Sequence, residues 1–176
     1  MRLYLLRHAP AAERDAARWP GDRERPLTSR GRSRMREAAL GIAAIGVRPA
    51  AILSSPLARA LQTARILARA LEPSPPITLH EELEPSTLPA RTMLLLAEPR
   101  GEEIVLVGHE PHLSTLAAWL ISGRHESALE LRKGGLIRID FDGEPAPGSG
   151  RLVCLLTPKL LRRLGRPAKA GPRDEM

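Results

Sequence analysis

The chain reads as an α/β domain, a three-layer sandwich in which a mostly parallel sheet carries helices on both faces and ends in a C-terminal antiparallel hairpin. Three features predict this. Short apolar runs alternate with longer amphipathic stretches as far as residue 123, and the last two apolar runs are joined by the turn-rich "GEPAPGSG" (143–150). A length of 176 residues suits one well-buried core rather than two. Residues 1–160 are therefore assigned to a single domain and 161–176 to a basic C-terminal tail.

Taken in order, "RLYLL" (2–6) is an apolar run of strand length. "LTSRGRSRMREAALGIAAIG" (27–46) has helical spacing, with Thr28 or Ser29 as its cap and Gly46 as its stop. "AAILSS" (50–55) is a second strand. It leads into "PLARALQTARILARAL" (56–71), where Pro56 suits a first helical turn and Leu57, Ala60, Leu61, Ala64, Leu67, Ala68 and Leu71 share one face. The Pro-rich segment 72–89 leaves room for a short strand at Ile77–Leu79, followed by a helix over "ARTMLLLAE" (90–98). "EEIVLVGHEP" (102–111) gives a strand ending at Gly108, and "HLSTLAAWLIS" (112–122) a helix closed by Gly123. "GGLIRIDFD" (134–142) and "GRLVCLLTP" (150–158) form the hairpin, and "KLLRRL" (159–164) a short helix before a frayed end.

Composition narrows the function. A net charge of +7 and a pI near 10.8 invite a nucleic-acid partner, but the arginines are spread along the whole chain and aromatic residues make up only 2%. No nucleic-acid partner is expected. The N-terminal apolar run is too short for a signal peptide, and no stretch approaches the ~18 apolar residues of a membrane span, so no membrane partner and a cytoplasmic setting are expected. Cys154, the one cysteine, sits in the apolar "RLVCLLT" and reads as a core thiol.

In open α/β sheets, ligands bind beyond the carboxyl ends of the strands. His8 follows the first strand, Arg59 opens the helix after the second, and His109 follows the strand "EIVLV". Planar guanidinium groups satisfy phosphoryl oxygens bidentately, and an imidazolium or the free N–H groups of a helix start add donors. Arg7, Arg59 and a protonated His109 meet that need, with the helix near Pro56 aimed inward. A neutral imidazole is a competent nucleophile near neutral pH and forms a covalent intermediate without a metal. Two histidines and two arginines thus suit phosphoryl transfer through phosphohistidine. His109 and His112 have a metal-like i, i+3 spacing, but Pro111 and the lack of a third ligand nearby argue against it, so neither metal nor cofactor is expected. His80 and His125 read as exposed polar residues. "SRGRSRMR" (29–36) reads as a solvated helix face, with Arg25 or Arg30 at a pocket rim able to meet an acidic partner.

Three motifs, "LLRHA", "LSSPLARALQTARIL" and "VLVGHEP", occur in the order found in the histidine phosphatase superfamily, and on these residues the chain resembles that family over nearly its whole length. It is most similar to the small SixA-type phosphohistidine phosphatases, sharing their length, "RPLTSRGR" (25–32), "EELEP" and the hairpin leading into "LLTP". The resemblance implies a phosphoglycerate mutase-like fold. It also implies that His8 is the phosphorylated nucleophile and that Arg7, Arg59 and His109 bind the transferring phosphoryl group. Glu82 in "HEELEP" matches the family's general acid, with Glu81 and Glu84 as alternatives. Ala9 stands where the family more often has Gly, and its Cβ restricts positive φ.

The expected activity is a metal-independent phosphatase acting through a phosphohistidine intermediate on His8. Its partner would be a phosphorylated protein (phosphohistidine) or a small phosphorylated substrate, the former favoured because the segment between Leu71 and Arg91 leaves little for an enclosing lid. The alternatives are a metabolite phosphatase or mutase on the same site, and an idle phosphate-binding module.

Overall fold

A computed structural model describes residues 1–97, 101–126 and 128–166. The elements run β1 (Arg2–Arg7), α1 (Ser29–Ala44), β2 (Ala51–Ser54), α2 (Ala58–Ala68), β3 (Ile77–Leu79), a 3-10 turn (Glu81–Leu83), α3 (Pro89–Leu96), β4 (Glu103–Gly108), α4 (His112–Ser122), β5 (Leu136–Asp140), β6 (Arg151–Leu156) and α5 (Pro158–Leu164). The sheet order is β3-β2-β4-β1-β5-β6. Its first four strands are parallel, and β5 and β6 form the antiparallel hairpin at one edge. The three-layer α/β arrangement read from the alternation of runs is the arrangement seen.

Period-2 alternation in β1 divides the core. Tyr4 and Leu6 point to the layer of α1, α2 and α5, where Met35, Ile42, Ala64, Leu67 and Leu161 are buried. Leu3 and Leu5 point to α3 and α4, among Leu95, Leu113, Leu116 and Leu120. Both faces of β1 are therefore covered, which explains its continuous apolar run.

Local chemistry sets the helix ends. The Thr28 hydroxyl accepts from the Gly31 N–H at 2.8 Å and caps α1. Thr157 caps α5 in the same way. Gly46 and Gly123 take positive φ beyond α1 and α4, as helix stops require. Pro56 lies before α2 rather than in its first turn. The part of the third predicted helix at residue 98 lies outside the described residues.

Two sequence expectations are corrected. The segment from residue 161 does not begin as a tail: α5 spans the expected boundary and Leu161 is fully buried against α1. Residues 167–176 lie outside the described residues. Cys154 is half-buried on the edge strand β6 rather than in the core, and burial pushes its thiol pKa up, away from nucleophile chemistry. Among the described residues no helix is long and apolar enough to cross a membrane.

The α1–α5 contact needs a bare backbone. A Cβ on Gly41 would overlap the Leu161 carbonyl oxygen, and one on Gly165 would overlap the Glu37 carbonyl. Gly41→Ala is expected to destabilise the domain by roughly 1–3 kcal/mol through forced separation of these helices, read as a lower urea midpoint. An unchanged midpoint would contradict the close packing.

Candidate active site

The carboxyl ends of the parallel strands meet at one cavity of about 380 Å³, lined by Arg7, His8, Glu13, Arg14, Arg25, Arg59, Pro85, His109, Glu110 and Lys133 among others. Strand register builds its centre. Arg7 pairs with Gly108 across β1 and β4, and the His8 N–H donates to the Gly108 carbonyl at 3.0 Å. The next residues on the two strands are His8 and His109, whose ring centroids lie 5.0 Å apart. Both are buried.

The His8 ring is fixed by its own neighbour. Nδ1 lies 2.7 Å from the Ala9 carbonyl oxygen, which can only accept, so Nδ1 carries the proton and Nε2 keeps its lone pair. The Ala9 backbone is held in turn: its N–H donates to Thr63 Oγ1 at 3.1 Å, and that hydroxyl donates to the Arg59 carbonyl at 2.7 Å. Among the described non-glycine residues only Asp22 takes positive φ, so Ala9 fits without strain where Gly is more usual.

The cations are anchored from separate elements. Arg7 Nη1 donates to the Leu131 carbonyl at 2.9 Å. Arg59 donates from Nη1 to the Asp22 carbonyl at 2.8 Å and pairs through Nη2 with the Asp22 carboxylate at 3.0 Å. Asp22 also pairs with Arg25 Nε at 2.5 Å, and that hydrogen bond, with the nearby guanidinium groups, holds its carboxyl below the ordinary range. His109 Nε2 lies 2.9 Å from Ser55 Oγ, which also accepts from the Leu57 N–H. Arg7 Nε, Arg59 Nε and His109 Nδ1 are buried with no hydrogen-bond partner among the described residues. The two arginine Nε atoms are orphaned buried donors, costly at about 1–3 kcal/mol each, and with His109 Nδ1, a donor once that ring is protonated, they mark a place for an anion.

Electrostatics alters one expectation. Burial, then the neighbouring cationic groups, pushes His8 down to about 3 and His109 to about 2, from an ordinary 6.5. The protein's own groups therefore hold His109 neutral rather than as the imidazolium read from sequence. A phosphoryl dianion is the countercharge that would reverse this. The helix start is corrected too: at the head of α2 the Ala58 N–H is taken by the Arg23 carbonyl and the Leu57 N–H by Ser55.

His8, Arg7, Arg59 and His109 are thus brought together, and Glu82 is not. It does not line the cavity; it pairs with Arg91 at 3.4 Å, and its carbonyl accepts from Thr92. Glu81 and Glu84 face Arg23 instead. The carboxylates that line the cavity are Glu13 and Glu110, and burial raises the Glu110 carboxyl above its usual range. Of the two rim arginines, Arg25 lines the cavity and Arg30 does not. His112 turns away to Thr92 Oγ1 at 2.9 Å, and among the described residues no cluster of three His, Cys, Asp or Glu could hold a metal.

Sequence reading missed Lys133, Ser55 and Asp22. Lys133 had a legible signal, because β5 runs antiparallel to β1 and so begins where β1 ends. Ser55 directly follows β2 and obeys the same strand-end rule. Asp22, in an irregular loop, had none.

The chain is similar to proteins already known. A family model described as histidine phosphatase superfamily (branch 1) matches residues 3–85. An uncharacterized protein of Picosynechococcus sp. is 38% identical over 168 residues, covering 92% of this chain and 99% of the relative. The proposed phosphohistidine phosphatase SixA of Agrobacterium tumefaciens superposes with a TM-score of 0.70 at 30% identity, over 89% of this chain and 97% of that one. A protein histidine phosphatase SixA complexed with tungstate gives 0.75 at 24% identity, over 90% and 98%.

Neutral buried histidines make stability depend on pH. The unfolded chain protonates His8 and His109 near 6.5 while the folded chain resists until about 3 and 2, so the unfolded state binds more protons and stability falls as pH drops from 7 to 5. Each histidine accounts for up to roughly 2 kcal/mol of that loss at pH 5. Urea unfolding of wild type is expected to show it, with a shallower dependence in His8→Asn; equal slopes in the two proteins would contradict the buried neutral state.

Proposed function

The chain belongs to the histidine phosphatase superfamily, and from that premise we propose a phosphatase that carries the phosphoryl group on His8 Nε2 and acts on protein phosphohistidine. The observation that supports this most is the set of partnerless buried nitrogens on Arg7, Arg59 and His109, which line one cavity with a histidine whose Nε2 is free by tautomer.

In the first step the His8 Nε2 lone pair attacks phosphorus. The P–N bond to the substrate imidazole breaks with its electron pair staying on nitrogen, and because the phosphorylated ring enters already protonated on its distal nitrogen it departs as neutral imidazole, with less need of acid help than an alkoxide. Arg7 and Arg59 hold the equatorial oxygens, and His109 donates from Nδ1 once the anion offsets the surrounding positive charge. In the second step water attacks phosphorus, the P–Nε2 bond breaks, and His8 returns to its neutral form with inorganic phosphate released. We assign proton movement at the cavity wall to Glu110, whose carboxyl belongs to the cavity lining and is raised by burial.

Protein-borne substrate is favoured by the short chain between Leu71 and Arg91. That stretch is used for β3, the 3-10 turn and the start of α3, and Pro85 is its single contribution to the cavity lining. An enclosed small-molecule site would draw on more of it.

Wild type and His8→Ala assayed on a phosphohistidine protein, a phosphoserine peptide and sugar phosphates test the reading. Phosphohistidine is expected to give the highest kcat/KM, with a loss of at least roughly 10³-fold in His8→Ala. Full activity in that variant would overturn the mechanism, and preference for sugar phosphates the substrate. Glu82→Gln is expected to stay within about twofold of wild type, because its partner is an exposed arginine outside the cavity. Arg59→Ala is expected to lose about 10²–10³-fold in kcat.

A further inference from the structure

A second, larger cavity of about 580 Å³ lies between α1 and α2, lined by Arg32, Arg36 and Leu40 of α1 and by Gln62, Arg65, Ile66, Arg69 and Ala70 of α2 and the turn that follows it. On α1 the lining recurs at 32, 36 and 40, and on α2 and the turn after it at 62, 65/66 and 69/70, so each wall is a stripe at near-helical spacing. The rise of 1.5 Å per residue makes the groove about 12 Å long, two helical turns.

Its chemistry is unusual for a solvated face. Leu40, Ile66 and Ala70 form an apolar floor, and Leu40 is 51% exposed. Four guanidinium groups rim that floor, and among the described residues none of them makes an ion pair. Arg32 donates to the Leu27 carbonyl and Ser29, while the nearby carboxylate on α1, Glu37, pairs with Arg166. No acidic side chain is among the lining residues. "SRGRSRMR" is therefore one wall of a cleft whose second wall is also basic.

We propose that this groove docks an acidic amphipathic helix of a partner protein. The partner's apolar residues would pack on Leu40, Ile66 and Ala70, and its flanking carboxylates would pair with Arg36, Arg65 and Arg69. Charge complementarity selects an acidic partner, and the floor selects a protein over a nucleic acid. A phosphate backbone offers nothing to bury there, and the lining holds no aromatic side chain for stacked bases. The groove is tied to the active site through Gln62, one helical turn beyond Arg59, whose side chain accepts from the Leu27 N–H at 2.8 Å. Resting on the phosphatase reading, a partner seated there would be held beside the phosphoryl pocket, selected by a surface that shares no lining residue with it.

The test uses the full chain and a synthetic peptide of about 14 residues, four helical turns, with leucines along one face and glutamates on its flanks. A scrambled peptide of the same composition and a short DNA duplex are the comparators. Amide chemical-shift mapping and fluorescence anisotropy are expected to place the peptide on Arg36, Leu40, Ile66 and Ala70. Arg65→Glu with Arg69→Glu is expected to weaken binding at least tenfold, and Ile66→Ser several-fold, while hydrolysis of para-nitrophenyl phosphate stays at the wild-type rate in both. The binding readouts do not require turnover, so failure of the phosphatase reading and failure of the docking site are separately visible. Equal binding of the scrambled peptide or tighter binding of DNA would overturn the proposal, as would shifts mapped elsewhere or no binding.

Discussion

The site depends on the register between two central strands. β1 and β4 are hydrogen-bonded in parallel with Arg7 opposite Gly108, and this pairing makes the next residues, His8 and His109, leave the sheet side by side. A slip of one residue would turn the slipped strand's side chains to the wrong faces, and the division of Leu3 and Leu5 from Tyr4 and Leu6 between two buried layers forbids it. The apolar core thus specifies the geometry of the polar pocket. The same end of β1 is gripped from the other side, where the Arg7 N–H donates to the Gly135 carbonyl and the Arg7 carbonyl accepts from the Gly134 N–H.

On that frame the electrostatics of the pocket are set by burial and by clustered cations. Arginines and a lysine crowd the cavity, yet both histidines are neutral, because burial and the cations act in the same direction. Neutrality leaves His8 Nε2 a lone pair, which the proposed nucleophile role requires. Asp22 compensates Arg59 and Arg25, which keeps both extended into the cavity without satisfying Arg59 Nε. The pocket is preorganised in this sense: its donors are held by carbonyls and one carboxylate, with nitrogens left over for a ligand.

Much of this was legible in the sequence because both signals are local. Alternation of apolar runs identifies the layers, and "LLRHA", "LSSPLARALQTARIL" and "VLVGHEP" place charged groups at the ends of predicted strands. What was not legible depends on contacts between segments far apart in the chain. Gly41 and Gly165 reveal nothing singly, yet together they let α5 dock on α1, turning an expected tail into core. Glu82 looked placed by sequence order, but its side chain turns to Arg91 while Glu110, beside His109, lines the cavity. The charge state of His109 follows from burial, which no motif encodes. The groove between α1 and α2 needed two helices seen together, since each basic stripe alone reads as an ordinary solvated face.

We propose that the Ala9 carbonyl, by holding the His8 proton on Nδ1, makes Nε2 the atom that takes the phosphoryl group. Stopping turnover in alkaline denaturant and locating the protein-bound phosphoryl group by ³¹P NMR and peptide mass spectrometry tests it directly. The predicted result is a single phosphoryl group on His8, bonded through Nε2. Phosphorylation through Nδ1 or on another residue, or turnover with no protein-bound phosphoryl group, would contradict it.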